Sequence, residues 1–540
     1  MTAIPPESPE RWDYLIVTAA NGRQAAAYTS QIQLRREMGQ LAQVRDFLVI
    51  PDPDGRRIGS GGSTLQCLTA VLDRESKPDQ DASEGHRAEA ILSRLRILIV
   101  HAGGDSRRLP AYSPCGKIFI PLPGRTQPGI GSTLFDRLVP DFLSLPAGAP
   151  GAGQVVIAAG DALIRFDSAA VHFDGPGITA IGAPTSPQEA ARHGVLCPNA
   201  DGSVRLYLQK PNMCAQIEAC AIGADGRSIL DIGIMSLDAG AAARLLWTFG
   251  TSPARAAILS HGIDLYREIC CALGTEATLG HYLTTARSSR SSLDEAVLAG
   301  LFAALRPIPF NVRVLRECSF LHFGSTSQLI SSGLEMLTED LGAPPASAIL
   351  AMNNDMQDQG GIGGREVWVE GCRLRAPLRL QSRNVVVGVD VLDPLSLPAG
   401  ACLDVSSGLD RKGGKACFIR CCGVDDTFKR SEAEGATFCG LPLAQWLLAA
   451  GAPLSDIWDS ETPAGERTLW NAKLFPAEED CAEFRRWLWM FDIAGATPEQ
   501  KTAFRSADRY SSAEIAVRTD QAAFHARRAA CRAAGSALKS

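Results

Sequence analysis

RILIVHAGGDSRRLPAYSPCGKIFIPLP, residues 96 to 123, reads as a strand feeding a phosphate loop. Ile97 to Val100 are an apolar run that predicts a buried strand; Gly103 and Gly104 end it, and polar and basic residues lead on to Lys117 and a second apolar run. Glycines at a strand end let the backbone approach a ligand and point N–H groups at it, while Arg107, Arg108 and Lys117 neutralise a polyphosphate. A glycine turn with solvated arginines is the plainer alternative. A Walker A loop is excluded, because Ala111 stands five residues before Gly116 and Ile118 follows Lys117. The dinucleotide fingerprint G-x-G-x-x-G is absent here as well.

Working outward, DYLIVT (13–18) and FLVIP (47–51) predict strands, and Gln24 to Asp46 carries Ile32, Met38, Leu41 and Val44 at helical spacing. Strand, helix, strand argues for a parallel sheet. DPDGRRIGSGGSTLQCL (52–68) is a second glycine-rich turn, entering a helix at about Thr64. Gly59, Gly61 and Gly62 there form either an anion cradle at a helix N-terminus or a structural turn. Residues 75–89 are polar and aperiodic, which predicts an exposed loop, and 123–133 and 146–154 are turn-rich. QVVIAAGDALIRFD (154–167) repeats the pattern of a buried strand closing on Gly160 and Asp161. Ligands of open α/β sheets sit beyond the carboxyl ends of the strands, so Asp161 and the Gly103–Gly104 loop are expected at one crevice. Asp161 is there either a carboxylate for Mg²⁺ or a helix N-cap. GITAIGAP (177–184) predicts a strand, 193–211 a hairpin turning at Asp201-Gly202, and 228–247 a strand and then a helix. Past residue 350 the pattern changes to short apolar runs at close spacing, VWVEGC, APLRLQ, NVVVGVDV, ACLDV and ACFIRC, which suggests a stacked β domain.

The chain has 540 residues, a net charge of −6 and 21% charged residues, a balance that points away from general nucleic-acid or membrane-surface binding. The start lacks an apolar signal region and no run of ~18 apolar residues occurs, so a soluble cytoplasmic protein is expected. Sixteen cysteines are dispersed without C-x-x-C, indicating buried reduced thiols rather than a zinc site or a disulfide framework. Cys115, inside the loop, is either a thiol activated by nearby cations or a small residue that fits.

HAGGDSRRLP…GKIFIPLP resembles the AGG-x-(G/S/T)-x-R…K loop of sugar-1-phosphate nucleotidyltransferases, and more closely the form of it in L-fucose-1-phosphate guanylyltransferases, including the pyrophosphorylase half of bifunctional fucokinase enzymes. RIGSGGSTL, the Gly160-Asp161 pair, HGV followed by a strand ending in Lys210-Pro211, DLYREICCALG, GVDDTFK, FCGLPLAQWL and ERTLWNAKLFP extend the resemblance from about Trp12 to about Pro476. The resemblance implies a Rossmann-like catalytic domain over residues 1–350, a mostly parallel sheet with helices on both faces. A β-rich domain, in the family a left-handed β-helix, would follow over 351–476, and a helical segment over 477–540. It implies Mg²⁺-dependent formation of GDP-L-fucose and pyrophosphate from GTP and L-fucose 1-phosphate. Arg108 and Lys117 would be catalytic. Gly103, Gly104, Asp105 and Ser106, with Gly61 and Gly62, would bind nucleotide, and Gly194, Lys210, Asp231 and Gly233 the sugar phosphate. Asp161 would hold the metal, with Asp264 either a second metal carboxylate or a helix cap. A separate sugar kinase would supply the substrate, and a homo-oligomer is open. Mannose, a heptose or D-arabinose as the 1-phosphate, and a non-catalytic nucleotide-sugar-binding protein, are the competing readings.

Overall fold

The computed structural model describes residues 11–76, 84–124, 131–149, 151–250, 252–345, 347–357 and 359–537. The chain divides into two compact units: Met1–Gly104 with Leu138–Gly160 and Ile164–Phe320, and Asp105–Arg137 with Asp161–Leu163 and Leu321–Ser540. This partition differs from three consecutive segments, because the loop that follows the central strand belongs with the C-terminal half of the chain.

The first unit is a mixed α/β structure built on one large sheet. Trp12–Ala19 (β1), Val44–Pro51 (β2), Arg96–His101 (β3) and Gln154–Ala159 (β4) lie in the order β2-β1-β3-β4, followed by Ser228–Asp238, Ile178–Thr185 and Phe310–Val314. β1 to β4 are parallel, as are the last two strands, while Ser228–Asp238 runs antiparallel to both its neighbours. A strand buried on both faces reads as a continuous apolar run, and that is what makes β3 legible. Ile97 and Ile99 point into a cluster with Tyr14, Ile16, Val155 and Ile157, while Leu98 and Val100 on the other face are fully buried too. The hairpin Gly194–Pro198 and Val204–Gln209 forms as its Asp201-Gly202 turn predicts, with Gly202 at φ +85°.

Helix boundaries differ from expectation in three places. Gly22–Glu37 (α1), capped by Asn21 accepting from the Gln24 N–H, stops well short of Asp46, before Gly39 in the left-handed region. Gly59–Glu75 (α2) begins at its first glycine rather than at Thr64. Glu84–Leu92 (α3) is a helix where a loop was expected; Ala88, Ile91 and Leu92 recur at helical spacing and are buried. The rest of that expected loop, 77–83, lies outside the described residues, as do 125–130 and 150 of the two turn-rich stretches.

The second unit carries three parallel ladders. Val367–Glu370 pairs with Ile349–Met352 on one side and Val385–Val387 on the other, and Val385–Val387 continues to Ala401–Leu409. Asp355–Met356, Arg373–Leu374 and Asp390–Val391 form the second ladder, and Ile362–Arg365, Leu378–Ser382 and Leu395–Leu397 the third. Ile349 pairs with Val367 and Val385 with Cys402, steps of 18 and 17 residues, so each turn of chain lays one strand on each ladder. Antiparallel strands Ala401–Leu409 and Lys415–Gly423 close the stack. The loop segment 105–124 is anchored in this unit. Tyr112, fully buried, accepts the Trp368 indole N–H at 2.7 Å and donates to Glu370 at 3.3 Å; Glu370 also takes Arg528 of the last helix, Gln521–Ala537, at 2.5 Å and Asn353 at 3.0 Å.

The expectation of reduced thiols throughout is corrected at one pair. Cys417 and Cys481 form a disulfide with Cα atoms 5.2 Å apart. Pairing of Cys417 with Glu478 on a neighbouring strand brings the two together, and pairing across 64 residues is not deducible from spacing.

Candidate active site

β3 ends in His101, and the backbone then turns through Gly103 and Gly104. The N–H groups of Ala102 and Gly103 donate to Thr18 Oγ1 at 3.0 and 3.1 Å, the Tyr28 hydroxyl donates to the Ala102 carbonyl, and a Cβ on Gly103 would meet the Ala19 backbone at 3.3 Å. The end of β1 and the first turns of α1 therefore brace the loop. Gly104 takes φ +126°, as glycine can, and buried Ser106 takes φ +52°. Thr18 and Tyr28 were not singled out from the sequence. The signal was present in TAANG (18–22), a strand end running into a helix start next to the central strand.

Beyond Gly104 the loop belongs to the second unit. Asp105 and Arg107 pair with each other at 2.9 Å, both half in solvent. Lys117 Nζ lies 3.2 Å from Asp161 Oδ2, the ammonium 18% and the carboxylate 52% exposed. Burial pushes the Asp161 carboxyl up, but Lys117, together with His322 and Arg108, outweighs it and holds Asp161 below the usual carboxylate range. Asp161 follows β4 directly and stays ionised, a carboxylate available to a cation, and the N-cap alternative is not seen: β-structure, Ala162–Phe166, comes next. Arg108 is exposed, its guanidinium close to Gly324. Cys115 is the fitted residue of the two alternatives: buried, its thiol pushed up to about 12 by burial. Alkylation of the native protein at pH 8 should therefore modify exposed Cys214 and Cys220 and leave Cys115 intact, as peptide mass spectrometry would read directly.

A second group forms in the first unit. The Tyr207 hydroxyl donates to Asp231 Oδ2 at 2.8 Å and the Gly233 N–H to Asp231 Oδ1 at 2.8 Å. Burial pushes the Asp231 carboxyl up to about 6 against these two donors. Gly194 completes the group, and Lys210 stands exposed at the end of the same hairpin. Gly194, Asp231 and Gly233 are thus brought together, and Tyr207 is the member the sequence reading missed. A Cβ on Gly194 would fall 1.8 Å from the Tyr207 hydroxyl and 3.3 Å from Asp231 Cβ. Gly194→Ala should displace Tyr207, cost about 1–3 kcal/mol of stability and raise KM for the sugar phosphate about tenfold, measured by denaturant melts and initial rates.

Gly61 and Gly62 are placed differently from an open cradle. Their N–H groups donate to the Ile263 carbonyl at 2.9 and 3.2 Å, and a Cβ on Gly59 would lie 2.3 Å from that oxygen. The glycines let α2 dock on the Ile263–Asp264 backbone, and those two amides have a protein partner instead of a phosphate. Asp264 is a helix cap: Oδ1 accepts from the Tyr266 and Arg267 N–H groups at 3.0 and 2.9 Å, and Oδ2 from Ser60 at 3.3 Å. Among the described residues no group of three or more His, Cys, Asp or Glu could hold a metal, and no helix is long and apolar enough to cross a membrane.

The model of the fucose pyrophosphorylase domain matches residues 89–480, from just before the loop to the far end of the stacked ladders. The chain belongs to that family. Its curated relatives include a bifunctional fucokinase/GDP-fucose pyrophosphorylase of Arabidopsis thaliana, 27% identical over 93% of this chain and 50% of the relative. An L-fucokinase/L-fucose-1-P guanylyltransferase of Bacteroides fragilis is 27% identical over 76% and 41%. A human fucose-1-phosphate guanylyltransferase is 26% identical over 86% and 82%. The chain spans about half the length of the first two. A solved structure described as a mannose-1-phosphate geranyltransferase from Thermus thermophilus covers 77% of this chain and 96% of its own at 9% identity, with a TM-score of 0.26, too distant to bear on the fold. Membership puts the pyrophosphorylase loop, the Lys117–Asp161 pair and the Tyr207–Asp231 group within the matched segment.

Proposed function

We propose that the protein forms GDP-L-fucose and pyrophosphate from GTP and L-fucose 1-phosphate. A phosphate oxygen of the sugar phosphate attacks the α-phosphorus in line, a new P–O bond forms, the α–β bridging P–O bond breaks, and the electron pair leaves with pyrophosphate. No covalent enzyme intermediate is needed; positioning and charge stabilisation carry the reaction. The observation that supports it most is the Lys117–Asp161 pair at 3.2 Å in a segment that also holds Arg108. Lys117 would sit beside the α-phosphate and Arg108 on the triphosphate, with Asp105, Ser106 and the Gly104 backbone lining the loop. Lys210, Asp231, Gly194 and Gly233 would receive the sugar phosphate.

Asp161 fits Mg²⁺: it is an ionised, half-exposed carboxylate of the hard-oxygen kind that cation takes. When bound, Mg²⁺ supplies charge neutralisation along the phosphates. Asp264, with both oxygens engaged in capping, fits it poorly, so Asp161 is the single carboxylate in this reading. The three ladders, advancing 17 or 18 residues per turn, support the expected β-helix. The names of the relatives support fucose and guanine.

The test is pyrophosphate release with Mg²⁺, crossing four nucleoside triphosphates with fucose, mannose, glucose and heptose 1-phosphates. Turnover confined to GTP and fucose 1-phosphate, abolished by a chelator, is expected. A different preferred sugar would correct the substrate, and no turnover with nucleotide binding retained would reject the enzyme in favour of a binding protein.

A further inference from the structure

The second unit contains a cavity of about 600 Å³ that the reaction above does not use in full. Arg108 lines it from the phosphate loop, Ser325 and Ser327 from the start of the helix Thr326–Leu341, and Lys429 and Arg430 from the segment GVDDTFKR, residues 423–430. We propose that this cavity is a subsite for the terminal phosphates of the nucleotide and for the pyrophosphate they become, with Lys429 and Arg430 as further cationic ligands. The inference rests on the nucleotidyl-transfer reading and names residues outside the loop for its leaving group.

Three cations converge on one concave surface, where the surrounding low-dielectric walls focus their field. A guanidinium presents a planar fork that matches phosphate oxygens, and an ammonium supplies a compact charge. Two serine hydroxyls add neutral donors. The carboxylates on the same wall are engaged with protein. Asp425 is paired bidentately with Arg383 at 2.7 and 2.9 Å. Asp426, 7% exposed, accepts from the Gly423 and Cys439 N–H groups at 2.6 and 2.8 Å and from the Thr437 hydroxyl at 3.1 Å. Glu434 accepts the Ser431 N–H at 2.9 Å.

The segment is built to hold its cations in place. Asp426 ties both of its ends, and Phe428 is buried and stacked on Phe475 at 6.2 Å. The Phe428 carbonyl accepts the Trp470 N–H, and the Arg430 N–H closes the turn on the Thr427 carbonyl at 3.0 Å. Lys429 and Arg430 follow the buried ring and are exposed. A rigid loop that presents adjacent cations without apolar cover suits a small, highly charged anion, for which pre-organisation avoids ordering costs on binding.

The test uses the full chain with Lys429→Ala, Arg430→Ala and the conservative Lys429→Arg. Pyrophosphate binding is read by calorimetry, and KM for pyrophosphate in the reverse reaction from GDP-sugar. Each alanine should weaken pyrophosphate about 10- to 100-fold, Lys429→Arg should restore most of it, and KM for the GDP-sugar should stay within about twofold of the unaltered protein. Circular dichroism should be unchanged, because both side chains are exposed. Unaltered pyrophosphate affinity in both alanine variants of a protein that turns over would overturn the subsite and leave the transfer reading standing. Pyrophosphate binding that is lost in the variants, in a protein without turnover, would keep the subsite and remove the transfer reading. No pyrophosphate binding by the unaltered protein overturns the subsite outright.

Discussion

Lys117→Ala should lower turnover by about 10²- to 10³-fold with the fold intact, the loss typical when a charge-stabilising donor is removed. The ammonium meets Asp161 at 3.2 Å and has no second role in the core. Its removal has a separate signature in pH. Lys117 is the largest of the influences that hold Asp161 low, so without it the Asp161 pKa rises. The ionised carboxylate is present above its pKa and lost as pH falls through it. The acidic limb of the pH–rate profile should therefore move to higher pH in the variant. A variant with near-normal turnover and an unmoved acidic limb would take Lys117 out of the mechanism.

Glu370→Ala should destabilise the protein by about 3–5 kcal/mol, the usual cost of leaving a buried charge without its partner. Glu370 is fully buried and collects Arg528, Tyr112 and Asn353. Truncating it strands the Arg528 guanidinium, itself 8% exposed, and strips Tyr112 of its acceptor. Urea unfolding read by tryptophan fluorescence measures the loss directly, since Trp368 donates to that same tyrosine. A midpoint shift worth less than ~1 kcal/mol would show that the cluster relaxes around the missing carboxylate.

What was legible in the sequence follows from the range of the interaction involved. β1 to β4 could be read because burial on both faces writes apolar residues at every position, and the glycine bends after β3 because a turn needs particular residues locally. The Asp201-Gly202 hairpin is of the same kind. By contrast, the roles of Gly61 and Gly62 depend on a carbonyl 200 residues away, at Ile263, and a glycine that admits a neighbouring backbone looks the same in sequence as one that admits a phosphate. Asp264 could be named as cap or ligand but not decided, because both uses need the same residue at a helix start. Tyr207 escaped notice since nothing local sets a strand tyrosine apart; its meaning comes from Asp231 on another strand. The ladders beyond residue 350 were visible as short strands, but their 17- and 18-residue steps were hidden by a poor hexapeptide pattern.

The tie between Tyr112 and Arg528 also sets an order of events during biosynthesis. At roughly 5–20 residues per second, a ribosome adds the roughly 400 residues between them in about 20–80 seconds. For that time the nascent chain carries its phosphate loop, with the tyrosine and the cations already made, while the strand and helix that will hold it are still to come. The sheet of the first unit can assemble as it emerges. The loop is completed last, by the final helix, which makes the far end of the chain a timing element for the site near its beginning.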